Sequence, residues 1–182
     1  MKMETILEIL KYILPSLIVL AASYLIVQKF LVTTLKRKQL ALLQETQSIT
    51  IRMRLQAYER LALYAERINP RALIPRVYVS GMTVADLQQA LVFNIRAEFE
   101  HNLSQQIYVS ANVWNTVRGV MEQEINMISN VAGQLKQDAP AKELHQHIVD
   151  FIVTTPEEQP TTVALQIINE EAKRILSYGA QA

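Results

Sequence analysis

Glu98 and His101 are the pair of side chains in this sequence whose types and spacing could bind a metal ion. They stand three residues apart in a segment with a helical pattern, so both would point to one side of a helix. Di-iron helical bundles use this Glu-x-x-His spacing, together with a second such pair and two further glutamates. The sequence has no second pair, since Glu143 and His147 are four residues apart. Glu98 and His101 are therefore weak metal candidates, and a solvated helix face or an internal polar network is the simpler interpretation.

Other catalytic motifs are missing from the sequence. The chain has no cysteine, which excludes disulfides, thiolate metal sites and a cysteine nucleophile. Its four glycines form no phosphate-binding loop, and no serine stands in a nucleophile-elbow context. We predict no catalytic residue and no cofactor, and keep as an alternative a metal-dependent or small-ligand enzyme of the helical-bundle type, centred on Glu98 and His101.

Arginines are concentrated in one segment of 25 residues that contains no lysine. The planar guanidinium group suits phosphate and carboxylate partners, which favours docking to lipid head groups or to an acidic protein surface. The alternative is internal pairing with glutamates of the same chain. The residues predicted to form this anionic-surface or partner-binding set are Lys36, Arg37, Lys38, Arg52, Arg54, Arg60, Arg67, Arg71 and Arg76.

Charge is divided unequally along the chain. Residues 1–76 hold 12 basic and 5 acidic side chains, a net charge of +7, whereas residues 77–182 hold 6 basic and 12 acidic side chains, a net charge of −6. The soluble part is therefore not basic overall, and no nucleic-acid partner is expected. Basic residues near an anionic lipid surface would each gain about 1 kcal/mol.

The N-terminal part contains a segment long and apolar enough to cross a bilayer. Residues 12–28 include no charged side chain and are flanked by Lys11 and Lys29. As a helix they span roughly 25 Å, and neighbouring apolar residues extend this length past the ~30 Å hydrocarbon core. We predict a single transmembrane anchor over residues 1–32. Ser16 and Ser23 lie on one face of it, as a candidate packing seam for another membrane helix.

Two other interpretations of this apolar segment are open. Small residues at 21–23 would suit cleavage of a signal peptide, but the basic cluster at 36–38 follows the apolar run, as in a stop-transfer anchor. A buried core helix is the second alternative, although 17 uncharged residues are many for such a helix. For an anchor, the positive-inside rule places the N-terminus outside and the remaining chain in the cytoplasm.

The rest of the sequence has the pattern of an all-α fold. A helical stalk is predicted over residues 33–49, with a break near residues 48–50. A bundle-like cytoplasmic domain of about five helices is predicted over residues 50–179, and a tail over 180–182. Apolar residues recur every three or four positions in helices expected at 51–68, 84–106, 110–138, 144–152 and 164–176.

Loops and caps separate these predicted helices. Proline and glycine predict a loop from Pro70 to Gly81, in which residues 77–79 could be briefly extended. Thr83 with Asp86 resembles a capping box, and Ser110 is a candidate N-cap for the helix that follows. The apolar stripe of each predicted helix is expected to face the core. In the helix predicted at 84–106 this stripe includes Leu103.

Two stretches, QAYERL at residues 56–61 and IRAEFEHNLSQQIYVS at residues 95–110, are similar to a family of single-span membrane proteins from Bacteroidota. That family has no assigned activity. The resemblance implies a bacterial inner-membrane setting and supplies no catalytic residues.

These features favour a non-enzymatic, membrane-anchored interaction module that serves as an adaptor or accessory subunit of an inner-membrane assembly. Its expected partners are the lipid bilayer and other membrane or cytoplasmic proteins, or a second copy of the chain. The first alternative is the enzyme centred on Glu98 and His101. The second is a module whose basic half binds anionic lipid surfaces.

Overall fold

The chain folds into helices throughout the part that the computed structural model describes, which is the backbone of residues 2–179 and the side chains of Lys11, Ile13 and residues 15–177. This part contains six α-helices and no strand, which confirms the all-α prediction. The helices are α1 (Lys2–Ile68), α2 (Pro70–Val77), α3 (Val84–His101), α4 (Ala111–Gly133), α5 (Ala141–Thr154) and α6 (Pro160–Gly179), with a short 3-10 helix at Leu103–Ile107. The predicted tail at 180–182 lies outside the described residues.

Helix α1 runs without interruption from Lys2 to Ile68, so the predicted break near residues 48–50 is wrong. No proline or glycine occurs between residues 16 and 68. The hydroxyl groups of Thr46 and Ser48 donate to the carbonyls of Leu42 and Glu45 within the helix. These side chains share carbonyl acceptors of their own helix, and the helix continues through them.

The chain divides into two compact units, Met1–Ser48 and Ile49–Ala182. In the first unit the apolar side chains of α1 are exposed, among them Leu20, Ile26 and Phe30. Helix α1 is long and apolar enough to cross a membrane. None of the residues in its most apolar 18-residue stretch is buried. The interpretation as a buried core helix is therefore wrong.

The core of the second unit is formed by one face of α1 with α3, α4, α5 and α6. The apolar stripe predicted on this part of α1 comprises Ile51, Leu55, Tyr58, Leu61, Ala65 and Ile68. The last four of these residues are buried, and Ile51 and Leu55 are half-buried. On α3 the buried positions include Leu87, Leu91 and Ile95, which repeat every four residues. Helix α3 packs against α4 and α5, and α4 also packs against α6.

The segment after α1 is a helix where a loop was predicted. Asn69 caps α2 by accepting a hydrogen bond from the backbone N–H of Arg71 at 3.0 Å. Pro70 occupies the first turn, where its missing N–H would have no helical partner in any case, and Leu73 and Ile74 are buried. Tyr78 is extended but forms no strand, and the chain turns at Gly81, whose φ of 92° suits glycine.

The capping box before α3 is confirmed. The Thr83 hydroxyl accepts from the Asp86 N–H at 3.2 Å, and the Asp86 carboxylate accepts from the Thr83 N–H at 3.0 Å. The α-helix ends at His101 rather than at residue 106, and the following residues form the 3-10 helix. Leu103 is consequently exposed, so its predicted place in the core stripe is wrong.

Three further helices have ends that differ from their predicted positions. Helix α4 begins after the predicted cap Ser110, which accepts from the Val113 N–H, but it ends at Gly133 rather than near residue 138. Helix α5 begins at Ala141 and is longer than predicted. Helix α6 extends from Pro160 to Gly179, beyond both ends of the predicted 164–176. Apolar periodicity marks buried positions, whereas helix ends depend on caps and turns.

Candidate functional site

Glu98 and His101 lie together in a groove of about 470 Å³ between α1 and α3, here called the Glu98 groove. Glu98 lies in the last turn of α3, and His101 is the last residue of that helix. Both face charged and polar residues of α1. The complete lining is Gln56, Glu59, Arg60, Leu63, Tyr64 and Arg67 from α1, with Glu98, His101 and Asn102. The groove therefore combines the predicted metal candidates with two arginines of the predicted anion-binding set.

The carboxylate of Glu98 is engaged by an arginine. Its Oε1 atom lies 2.8 Å from Nη2 of Arg67, and Glu98 is the more buried partner, with its side chain 18% exposed. His101 is exposed. In the part of the chain that the structure describes, no group of three or more histidine, aspartate or glutamate side chains could hold a metal ion. The interaction that the structure shows in the groove is the ion pair of Arg67 with Glu98.

Tyr64 forms one wall of the Glu98 groove from inside the domain. The residue is 1% exposed, and its hydroxyl group has no hydrogen-bond partner among the described residues. Its ring lies 6.3 Å from the ring of Phe99, which stacks in turn on Trp114 at 5.4 Å. Burial raises the pKa of Tyr64 well above its ordinary value, and the negative charges of Glu124 and Glu98 add to that effect.

A second polar cluster, the Glu171 network, joins α1 to α6 and to the cap of α4. The Glu171 carboxylate accepts hydrogen bonds from the Tyr58 hydroxyl at 2.6 Å and from the Ser110 hydroxyl at 2.5 Å. Arg54 donates through Nε to the Tyr108 carbonyl at 3.0 Å and lies 3.5 Å from the Tyr58 hydroxyl. Burial of Glu171 acts against ionisation, but these hydroxyl groups and Arg54 together lower the pKa of Glu171 below its ordinary value.

The predicted anion-binding set is thus split by the structure. Arg54 belongs to the Glu171 network, Arg67 pairs with Glu98, and Arg76 donates to the Arg67 carbonyl at 2.8 Å. Arg67 pairs with a glutamate, as the internal-pairing alternative expects, whereas Arg54 and Arg76 donate to backbone carbonyls. Exposed side chains with no ion pair among the described residues are those of Lys36, Arg37 and Lys38 in the first unit and of Arg52, Arg60 and Arg71 in the second.

The two serines of the predicted membrane seam are both exposed on α1. The Ser16 hydroxyl donates to the Ile13 carbonyl of its own helix at 2.8 Å. Thr33 and Thr34 further along the helix do the same with the carbonyls of Lys29 and Phe30. The hydroxyl groups of Ser16, Thr33 and Thr34 are therefore satisfied as donors by their own helix.

A third feature is a cavity of about 160 Å³ beside the buried Glu124, here called the Glu124 cavity. Its apolar walls come from α2, α4, α5 and the start of α6, and its polar lining includes three glutamates. The complete lining is Pro70, Gln123, Glu124, Met127, Phe151, Ile152, Thr155, Glu157, Glu158, Gln159 and Pro160. Glu124 itself is 3% exposed, and burial raises the pKa of its carboxyl group from an ordinary value of 4.5 to about 7.

Comparison with protein-family models gives one match, to a family of unknown function, DUF7935, over residues 4–175. The match covers nearly the whole chain. The protein belongs to the DUF7935 family. No curated protein and no solved structure matches the chain.

The DUF7935 match includes the apolar part of α1, the Glu98 groove, the Glu171 network and the Glu124 cavity, so these features all lie in the family's common region. Membership in a family of unknown function agrees with one part of the resemblance seen in the sequence, namely that the family has no assigned activity. It assigns no catalytic residue, ligand or partner to any of these features.

In this DUF7935 protein the sequence alone did not identify Glu124 as a candidate site residue. A signal was present, because position 124 continues the buried series Val113, Val117, Val120, Ile128 on α4 at spacings of three and four. A glutamate at such a position is either paired or functional, since burying its charge without a partner is costly. Tyr64 was also not predicted as a buried residue, because it lies next to the predicted apolar stripe of α1 and not within it.

Proposed function

We propose that this DUF7935 protein is a membrane-anchored, non-enzymatic interaction module that acts as an adaptor or accessory subunit of an assembly in a bacterial inner membrane. The observation that carries the proposal is the exposed apolar surface of α1 in the first unit. Water would destabilise so many exposed apolar side chains on one helix, whereas lipid would not. A helix also satisfies its own backbone hydrogen bonds, which a lipid environment requires.

The charge pattern supports a cytoplasmic location for the second unit. Lys29, Lys36, Arg37 and Lys38 follow the apolar run, and all four side chains are exposed. Basic residues adjacent to a membrane helix favour the cytoplasmic side. In this orientation the N-terminus lies on the outer side of the membrane and the helical domain lies in the cytoplasm.

The surface of the second unit supports a role in binding another protein. Arg52, Arg60 and Arg71 are exposed without ion pairs among the described residues, and arginine is enriched at protein interfaces. Two large apolar side chains also protrude, with Phe93 72% exposed and Ile107 75% exposed. Exposed aromatic and arginine side chains are typical of the residues that dominate binding energy.

The experiment for the interaction role is purification of the tagged full-length protein from its native membrane in a mild detergent, followed by quantitative mass spectrometry. The proposal expects a partner, or a second copy of the chain, at a fixed ratio. A triple variant, R52E with R60E and R71E, should lose that partner while remaining in the membrane fraction. The matched control is the reversal K136E with K142E and K173E, at exposed lysines elsewhere on the domain. A strictly monomeric protein without stoichiometric partners would contradict the proposal.

Binding of anionic lipid by the basic residues is the second candidate function. It is supported by the exposed cluster Lys36, Arg37 and Lys38, which follows the apolar run in the chain. The test is the composition of lipid that co-purifies with the full-length protein. Enrichment of anionic lipid that falls with added salt, and that a triple glutamine variant of this cluster abolishes, would support this function.

A further inference from the structure

The Glu124 cavity has the size and the lining of a small-molecule site. Its volume of about 160 Å³ is close to the ~150 Å³ of an engineered apolar cavity that binds benzene. Met127, Phe151 and Ile152 supply apolar surface, and Pro70 and Pro160 close it from α2 and α6. All lining residues belong to the second unit, so the cavity is a property of the folded domain.

Glu124 is buried in this cavity without a partner. The residue is 3% exposed, and its carboxyl group forms no hydrogen bond or ion pair with another described residue. No lysine, arginine or histidine lines the cavity. Burying an ionised carboxylate without a partner is costly. A cation placed in the cavity would relieve this cost.

We propose that the Glu124 cavity binds a small organic cation, a protonated amine whose apolar body is about the size of a benzene ring. The ammonium group would pair with the Glu124 carboxylate, and the apolar body would lie against Met127, Phe151 and Ile152. An aromatic ring such as Phe151 also attracts cations through its π face. Glu157 and Glu158, which are exposed lining residues, would raise the local concentration of a cation. This inference does not depend on the proposed interaction role.

Binding of this kind must depend on pH, because the amine pairs with the ionised form of Glu124. The charged or titratable groups that face the carboxyl group are Tyr64 from α1 and Glu157 and Glu158 from the segment before α6. Since burial raises the pKa of Glu124 to about 7, a large share of the carboxyl groups is neutral at pH 6. The affinity for an amine that stays protonated should therefore rise between pH 6 and pH 8.

The test compares two probes of nearly equal size, benzylammonium and benzyl alcohol, by titration calorimetry on the full-length protein in detergent. We expect benzylammonium to bind with an affinity that increases several-fold from pH 6 to pH 8. The substitution Glu124→Gln should weaken that binding about tenfold or more, while Glu122→Gln, at an exposed position two residues away, should leave it unchanged. Circular dichroism of each variant checks that it is folded.

Three results would overturn the proposal. Equal affinity for benzyl alcohol would show an apolar cavity without a cation site. Binding of Mg²⁺ or Ca²⁺ in place of the amine would show that the three glutamates form an inorganic cation site. Failure of benzylammonium to bind the wild-type protein at pH 8 would remove the site altogether.

If Glu124→Gln does not fold, the pH dependence of the wild-type protein decides, and an affinity independent of pH would contradict the pairing.

Discussion

Nη2 of Arg67 lies 2.8 Å from Oε1 of Glu98, and this ion pair joins the last turn of α1 to the end of α3 across the Glu98 groove. The Arg67 side chain is 56% exposed, so solvent screens the pair. We expect Glu98→Gln to lower the free energy of unfolding by less than about 1 kcal/mol. Urea unfolding of the full-length protein in detergent measures the change, with Glu100→Gln at an exposed neighbouring position as the control. A loss of several kcal/mol would show that the groove holds the domain together.

The same ion pair leads to a prediction about metal. A cationic guanidinium beside Glu98 competes with a metal cation for the carboxylate, and His101 alone would supply a weak site. Elemental analysis of the purified protein should find iron, manganese and zinc well below one equivalent, with no change in Glu98→Ala. Stoichiometric metal that disappears in Glu98→Ala would instead favour an enzyme centred on Glu98 and His101.

The Glu171 network should stabilise the fold through its two hydroxyl donors. Removing the Tyr58 hydroxyl with Tyr58→Phe takes away the 2.6 Å bond to Glu171, and a hydrogen bond to a charged group contributes about 1.5–3 kcal/mol. Thermal or urea unfolding at pH 7 checks the loss. Tyr108→Phe is the matched control, because only the backbone carbonyl of Tyr108 takes part in the network.

The pH dependence of this effect has a definite sign. The pKa of Glu171 is lowered in the folded state, so its contribution to stability is present above its ordinary value of 4.5 and is lost as pH falls through the lower folded value. The difference in unfolding free energy between the wild-type protein and Tyr58→Phe should therefore shrink in acid. A difference that stays constant down to pH 3 would contradict the assignment.

Glu124 should make the free energy of unfolding change with pH in the opposite direction. Its pKa is raised from 4.5 to about 7, so between these values the folded protein holds a proton that the unfolded chain releases. The free energy of unfolding should then fall by about 3 kcal/mol as pH rises through this window, and level off above it. Denaturant unfolding at several pH values measures the slope. It should disappear in Glu124→Gln and persist in Glu122→Gln, and a slope shared by both variants would refute the assignment to Glu124.

The helical class of the fold was predictable because apolar residues recur at helical spacing on the faces that are buried. Leu87, Leu91 and Ile95 show this on α3, where all three are fully buried. Helix ends were less predictable, since they depend on local hydrogen bonds. The loop predicted after residue 70 illustrates this, because Asn69 caps a helix there and Pro70 fits its first turn.

In the candidate sites, sequence spacing likewise predicts which residues share a helix face, whereas their partners on other helices depend on tertiary packing. The spacing of Glu98 and His101 correctly indicates one side of one helix, because both line the Glu98 groove. The partner of Glu98 could not be read from spacing, since Arg67 precedes it by 31 residues and only the packing of α1 on α3 brings them together. Arg54 is similar, because its contacts with the Tyr108 carbonyl and the Tyr58 hydroxyl depend on tertiary packing.

The most direct test of a membrane-anchored module is a measurement of topology. The chain has no cysteine, so single cysteines can be introduced at Met3 and at Gln146, which is exposed on α5, without a background signal. A membrane-impermeant maleimide is then added to spheroplasts before and after lysis. The proposal predicts labelling of M3C in intact spheroplasts, labelling of Q146C only after lysis, and both proteins in the membrane fraction. Labelling of Q146C in intact spheroplasts, or recovery of the full-length protein in the soluble fraction, would contradict it.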